Sequence, residues 1–194
     1  MRRDQLEHAI RAACQITGQL EVIVVGSQAI LGTYPEYELP SAATRSLEVD
    51  ILPITDDNNQ TIELADLIVG VAGELSQFQQ THGFSIDGVD LTTSALPDGW
   101  RSRLVKVKRE NTAAPGGQPQ YIGWCLDEED LCVANLCAFR EKDHILLHSL
   151  MFLTSCQRCT FAMSVLNLIY LSRTSFALQL KLRRSPRVLC CARC

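Results

Sequence analysis

Apolar residues along the first 143 positions recur with two periods, one helical and one alternating, and the changes between them mark out the elements. Between Arg3 and Thr17, Leu6, Ile10 and Ala13 share one side of a helix and Gly18 ends the run, which predicts an amphipathic first helix. Glu21-Val22-Ile23-Val24-Val25 is almost uninterruptedly apolar and β-branched, and predicts a short strand. It breaks at Gly26-Ser27-Gln28-Ala29-Ile30-Leu31-Gly32, where a strand turns sharply into a helix. Thr33 to Pro40 reads as an inserted loop, and Ala43 to Leu52 as a second strand. Side chains on a strand alternate, so Glu48 and Asp50 share one face of it while Leu47, Val49 and Ile51 share the other.

Asp56-Asp57-Asn58-Asn59 is a capping cluster. Leu64, Leu67, Ile68, Val71, Leu75 and Phe78 follow it at helical spacing and predict one long helix, Thr61 to Thr81, covering the sheet. In Phe84-Ser85-Ile86-Asp87-Gly88-Val89-Asp90 the two aspartates sit where a turn favours Asp beside Gly. Thr92 to Trp100 is a loop, and Arg101 to Arg109 alternates cations with apolar residues in the manner of a strand. Ala-Pro-Gly-Gly-Gln-Pro at 114–119 is a strong turn, so this run and Gln120 to Trp124 pair as a hairpin. Asp127-Glu128-Glu129-Asp130 then opens a helix through Arg140, with acids at its positive end. The fold class is α/β (α+β), a mixed sheet flanked by helices with an atypical Cys-rich tail.

Composition changes this picture mainly at the end of the chain. From His144 to Cys194 there is no Asp, Glu or Gly, only basic charge, and five cysteines. The expected organisation is therefore one domain over 1–143 and a separate apolar and basic tail over 144–194, of the kind a frame change or recent replacement would leave. Cys156-x-x-Cys159 and Cys191-x-x-Cys194 lack ribbon spacing and a knuckle glycine, which weighs against a zinc site. Arg158 interrupts the apolar run from Ile145 to Leu171, which weighs against a membrane span. Buried helices or a poorly ordered segment are the expectation there. The amino terminus lacks a secretory pattern, so a cytoplasmic location is expected, with Cys14, Cys125, Cys132 and Cys137 as small buried thiols. A net charge of -4 and a pI near 5.6 argue against broad electrostatic binding to nucleic acid or to an anionic membrane. The run from Arg101 to Arg109 reads first as a solvated amphipathic strand and, as the sharper alternative, as a phosphate or RNA contact surface. His8, His82, His144 and His148 form no ligand spacing.

The candidate chemistry lies in two places. Two ionised carboxylates side by side repel and are costly to desolvate, so the Glu48–Asp50 pair needs water, a base or a cation, and Mg²⁺ answers that need with oxygen ligands. At Gly26-Ser27 the glycine admits a phosphate close to the backbone, the serine supplies a hydroxyl, and the helix start adds free N–H groups. Such a corner suits a triphosphate tail.

With Val25-Gly26-Ser27, Thr44-Arg45-Ser46-x-Glu48-x-Asp50, and Leu126-Asp127-x-x-Asp130-Leu131 leading to Ala138-x-Arg140-x-Lys142-Asp143, the chain resembles the DNA polymerase β-like nucleotidyltransferase superfamily. Within it, the chain is similar to small bacterial nucleotidyltransferases related to abortive-infection and toxin-antitoxin types. The resemblance covers residues 20 to 143. It implies that Gly26 and Ser27 hold the phosphates and that Glu48 and Asp50 bind Mg²⁺. Arg45 reads as a nucleotide-phosphate contact or as a structural partner of Asp50, and Arg140 and Lys142 as a solvated helix surface or as charge neutralisation of the triphosphate or of an RNA acceptor. Asp87, with Asp90 as the other candidate, is the third catalytic carboxylate. Glu48 stands where the signature usually has Asp, and Asn135 where the late helix usually carries Lys. The implied activity is Mg²⁺-dependent transfer of a nucleotidyl group from a nucleoside triphosphate to an acceptor hydroxyl, with transfer RNA or other RNA among the acceptors, a cognate antitoxin as partner, and no membrane partner. The alternative is a module of the same fold that has lost catalysis and binds a nucleotide or a partner protein.

Overall fold

A computed structural model describes residues 1–93 and 95–138. The tail over 144–194, with its two Cys-x-x-Cys pairs, and the positions Arg140, Lys142 and Asp143 lie outside the described residues. Helix α1 runs from Arg3 to Thr17 and ends at Gly18, whose φ of 69° is the left-handed conformation that glycine adopts at little steric cost. Strand β1 is Glu21–Val24. After Gly26, a single 3₁₀ turn over Ser27–Ala29 runs into a short helix, α2, Ile30–Thr33. Strand β2 (Glu48–Pro53), helix α3 (Asn58–Ala72), helix α4 (Gln77–His82) and strand β3 (Ser85–Gly88) follow. Strands β4 (Val105–Val107) and β5 (Ile122–Cys125) precede helix α5 (Glu128–Ala138).

The strands form one five-stranded sheet in the order β3-β2-β1-β5-β4. Pairing is antiparallel for β1–β2 and β4–β5, and parallel for β1–β5 and β2–β3. This is the mixed sheet flanked by helices that the alternating pattern predicts, and the 101–124 segment pairs as expected. Register assigns each residue a face. Ile23 opposes Leu52 and Trp124, Trp124 opposes Lys106, and Asp50 opposes Asp87, so these residues share one face. Val22, Val24, Val49, Ile51, Ile86, Val107 and Cys125 share the other, and all are buried. The helices pack there. A side chain at Gly123 would collide with Ile10 of α1, one at Gly88 with the Ala65 backbone of α3, and one at Gly32 of α2 with Cys125.

Three expectations change. The predicted helix over 61–81 is two helices. Gly73 closes α3 with its N–H on the Val69 carbonyl, and the Ser76 hydroxyl starts α4 by accepting from Gln79 N at 3.1 Å. Between them Leu75 takes a φ of 63° and stands 82% exposed. The core side of α3 is Thr61, Ala65, Ile68 and Ala72, while Leu67 and Val71 are exposed, so leucine spacing overstated the apolar face. The second strand begins at Glu48 and not at Ala43. Residues Ser41–Thr44 form turns, and Leu47, 52% exposed, lies before the strand instead of on its buried face. The basic strand shrinks to Val105–Val107, because Trp100–Ser102 coils into a 3₁₀ turn and Arg103 turns to Asp130 on α5, Nη2 to Oδ1 at 2.7 Å.

Cys14, Cys125 and Cys132 are buried, as expected, whereas Cys137 is exposed. His8 sits among aromatic rings, 5.6 Å from both Phe78 and Phe84 and 4.4 Å from His82. Burial, reinforced by Arg11 and His82, pushes its pKa down to about 4. Among the described residues no helix is long and apolar enough to cross a membrane.

Candidate functional site

The site is assembled where β1 leaves the sheet. Val25 N donates to the Asp50 carbonyl at 3.1 Å, which carries the β1–β2 pairing up to the corner. Gly26 then has φ -81° and ψ -175°, an extended conformation open to any residue. Glycine is required at this position for space. A Cβ built there would fall on the carboxylate of Asp50, so the Asp50 side chain fills the room that a substituent at residue 26 would take. The sequence alone assigned that room to a phosphate. The structure shows that a side chain of the chain itself uses it.

Ser27, half-buried, follows at the head of the 3₁₀ turn, and its hydroxyl oxygen accepts from Gln28 Nε2 at 3.2 Å. Together the turn and α2 span only Ser27 to Thr33, so the helix dipole behind Ser27 is weaker than a long helix would supply.

The β2–β3 register sets Asp50 opposite Asp87 and Glu48 opposite Ser85. The alternation that puts Glu48 and Asp50 on one face therefore brings Asp87 to the same face from the neighbouring strand. One carboxylate oxygen from each of Glu48, Asp50 and Asp87 lies within 4.8 Å of the other two. Glu48 is exposed, and the two aspartates are partly buried. Burial raises the Asp87 carboxyl above the usual carboxylate range, and a hydrogen bond with Glu48 opposes that rise. Asp90 takes a different place. Its Oδ1 accepts from the Thr92 hydroxyl at 2.6 Å and from the Thr92 N–H, which holds the turn and lowers the Asp90 pKa.

Arg45 is exposed on the approach to β2. Asn135, where the resembled helix motif carries a lysine, is buried and donates Nδ2 to the Leu131 carbonyl at 2.9 Å, so that position serves the helix backbone. Asp130 is occupied by Arg103, and the Asp127 carboxylate accepts from Asp130 N at 2.7 Å, an N-terminal cap for α5. Gln28 was missed by the sequence reading. A polar residue set between Ser27 and the apolar run Ala29-Ile30-Leu31 was the available signal.

Three carboxylate oxygens this close are a hard donor set suited to a divalent cation. Because the Asp87 pKa is raised, protons compete with a cation there above the range in which ordinary carboxylates titrate. We expect Mg²⁺ affinity, measured by calorimetry across a pH series, to fall on acidification from a higher starting pH than normal aspartates would give. Asp87→Asn should flatten that dependence. Without a cation, the stabilisation by protonated Asp87 is fully present below its unfolded-state pKa and is lost as pH rises through the raised folded value. Asp87→Asn should therefore raise the melting temperature modestly at neutral pH.

No curated protein and no solved structure matches this chain. The sequence pattern of one family, described as a nucleotidyltransferase of unknown function (DUF6036), matches residues 4–171. That span takes in the Gly26-Ser27 corner, the acidic strand and Asp87, the parts from which the same chemistry was inferred, and the chain belongs to this family of nucleotidyltransferases of unknown function.

Proposed function

We propose that the protein moves a nucleotidyl group from a nucleoside triphosphate to an acceptor hydroxyl with Mg²⁺ as cofactor. The observation that carries this reading is the convergence of Glu48, Asp50 and Asp87 beside the Gly26-Ser27 corner. Glu48 and Asp50 would hold the Mg²⁺, with Asp87 completing the donor set. Bound there, the ion supplies neutralisation of charge on the phosphates. Ser27 donates its hydroxyl to a phosphate oxygen of the triphosphate. The acceptor oxygen attacks the α-phosphorus in line, the bond to the β-bridging oxygen breaks, pyrophosphate leaves, and the acceptor proton passes to a carboxylate of the cluster. Asp87, brought to the cluster from the neighbouring strand, is the carboxylate to which we assign that proton.

Arg45, exposed on the approach to β2, would meet the triphosphate or an RNA acceptor from the solvent side, and Arg140 and Lys142 would add their charge to the same task. RNA acceptors, transfer RNA among them, a cognate antitoxin and a cytoplasmic setting belong to this proposal on the strength of that resemblance. A catalytically silent binding module is the second reading, and the inward-turned Asn135 favours it. The deciding experiment incubates the purified chain with each α-³²P-labelled nucleoside triphosphate, Mg²⁺ and total RNA. Label on RNA or on the protein itself supports transfer and identifies the nucleotide. Triphosphate binding without transfer by a folded chain establishes the silent module. Neither binding nor transfer defeats both readings.

A further inference from the structure

Gln28 is only 1% exposed, although it follows the candidate phosphate-binding serine directly. Its amide nitrogen has two acceptors, the Ala43 carbonyl at 3.2 Å and the Ser27 hydroxyl oxygen at 3.2 Å. The first bond fixes the orientation of the amide, since turning it over would set Oε1 against a carbonyl that cannot donate. With Nε2 held towards Ala43, the second N–H meets Ser27 Oγ, which has to accept. A hydroxyl that accepts from the protein has its own proton left to donate elsewhere. The cost is visible on the other side of the same amide, because Gln28 Oε1 is buried with no hydrogen-bond partner among the described residues. A side chain kept in the interior with half of its amide unsatisfied is being held for its nitrogen.

The Ala43 bond is the anchor of that orientation. Residue 43 closes the turn that leads towards β2, with Ala43 N on the Pro40 carbonyl at 2.9 Å. Gln28 therefore joins the serine corner to the segment that delivers Glu48 and Asp50, which sequence separates by some twenty positions.

We propose that Gln28 is a positioning residue for triphosphate binding: its amide fixes Ser27 Oγ as an acceptor from the protein, so that the hydroxyl proton is presented to a phosphate oxygen. This rests on the reading of the corner as a phosphate site. The Ser27 hydroxyl then makes a charge-assisted bond in a preset direction, without first losing the freedom of a rotor.

The test is a double-mutant cycle on the full chain, with magnesium tripolyphosphate as the probe so that no choice of base is needed. Calorimetric Kd values are compared for the parent, Ser27→Ala, Gln28→Met and the double variant. A hydrogen bond to a charged oxygen corresponds to about a tenfold change in affinity or more, so Ser27→Ala and Gln28→Met should each weaken binding by about that factor. The double variant should bind no more weakly than Ser27→Ala alone, because Gln28 acts through the hydroxyl that is already gone. If Gln28→Met has no effect in the parent, or costs the same factor in the Ser27→Ala background, the inference is overturned. The second outcome is also what partial unfolding would produce, so destabilisation cannot mimic success. If the parent itself shows no magnesium-dependent tripolyphosphate binding, the phosphate-site reading falls and this inference with it. Parent binding that is indifferent to Gln28 removes the inference alone.

Discussion

Asp50→Asn is expected to abolish nucleotidyl transfer, by about a thousandfold or more, which is the scale on which removal of one preorganised charge-stabilising group acts. Asp50 is the middle member of the cluster. It shares its strand with Glu48, faces Asp87 across the parallel pairing, and lays its carboxylate against Gly26. Asparagine preserves the volume and leaves the backbone bond from Val25 to residue 50 in place, so the fold should survive. The comparison is single-turnover transfer in parent and variant, with circular dichroism to confirm structure and calorimetry to follow Mg²⁺. A folded variant that keeps transfer within about tenfold of the parent would sink the role assigned to Asp50.

Gly26→Ala should be nearly as damaging, although it adds one methyl group and removes nothing. At φ -81° the backbone tolerates alanine without strain. The added carbon lands on the Asp50 carboxylate and forces it to a different rotamer. Misplacing a catalytic group by about 1 Å costs on the order of a hundredfold in rate, and a displaced Asp50 also loosens the cation site. The expected pattern is a large fall in transfer and in Mg²⁺ affinity with a small change in melting temperature. If Gly26→Ala instead weakens tripolyphosphate binding while Mg²⁺ affinity holds, the glycine serves the phosphate, as the sequence alone suggested, and the steric account is wrong. In an Asp50→Gly background Gly26→Ala should cause no further loss of activity, because the side chain it would displace is already gone.

Local periodicity carried the sequence reading a long way. Arg3 to Thr17 is the first helix to the residue, because Gly18 offers an unambiguous stop and Leu6, Ile10 and Ala13 mark the inner face. The shared face of Glu48 and Asp50 follows from strand alternation alone. What periodicity could not supply is register between distant strands. Asp87 sits where a turn favours Asp beside Gly, yet Ser85–Gly88 is strand β3, and Asp87 reaches the cluster only because residue 87 pairs with residue 50. The break between α3 and α4 was hidden for a different reason. Leu67, Val71 and Leu75 continue the helical spacing on an exposed side, whereas the true core side uses small residues such as Ala65 and Ala72 that a hydrophobicity pattern underweights. Gln28 and the crowding at Gly26 are tertiary facts, visible only once the corner and β2 are side by side.

Among the described residues the strand order places β3 at the rim of the sheet, with β2 as its one neighbour. A rim strand presents unpaired backbone groups to any other extended chain, and proteins blunt that hazard with brevity and with charge set where a partner strand would want apolar surface. β3 is four residues long, and half-buried Asp87 stands near its end. The carboxylate that completes the acidic cluster thus also makes this edge a poor template for a second chain.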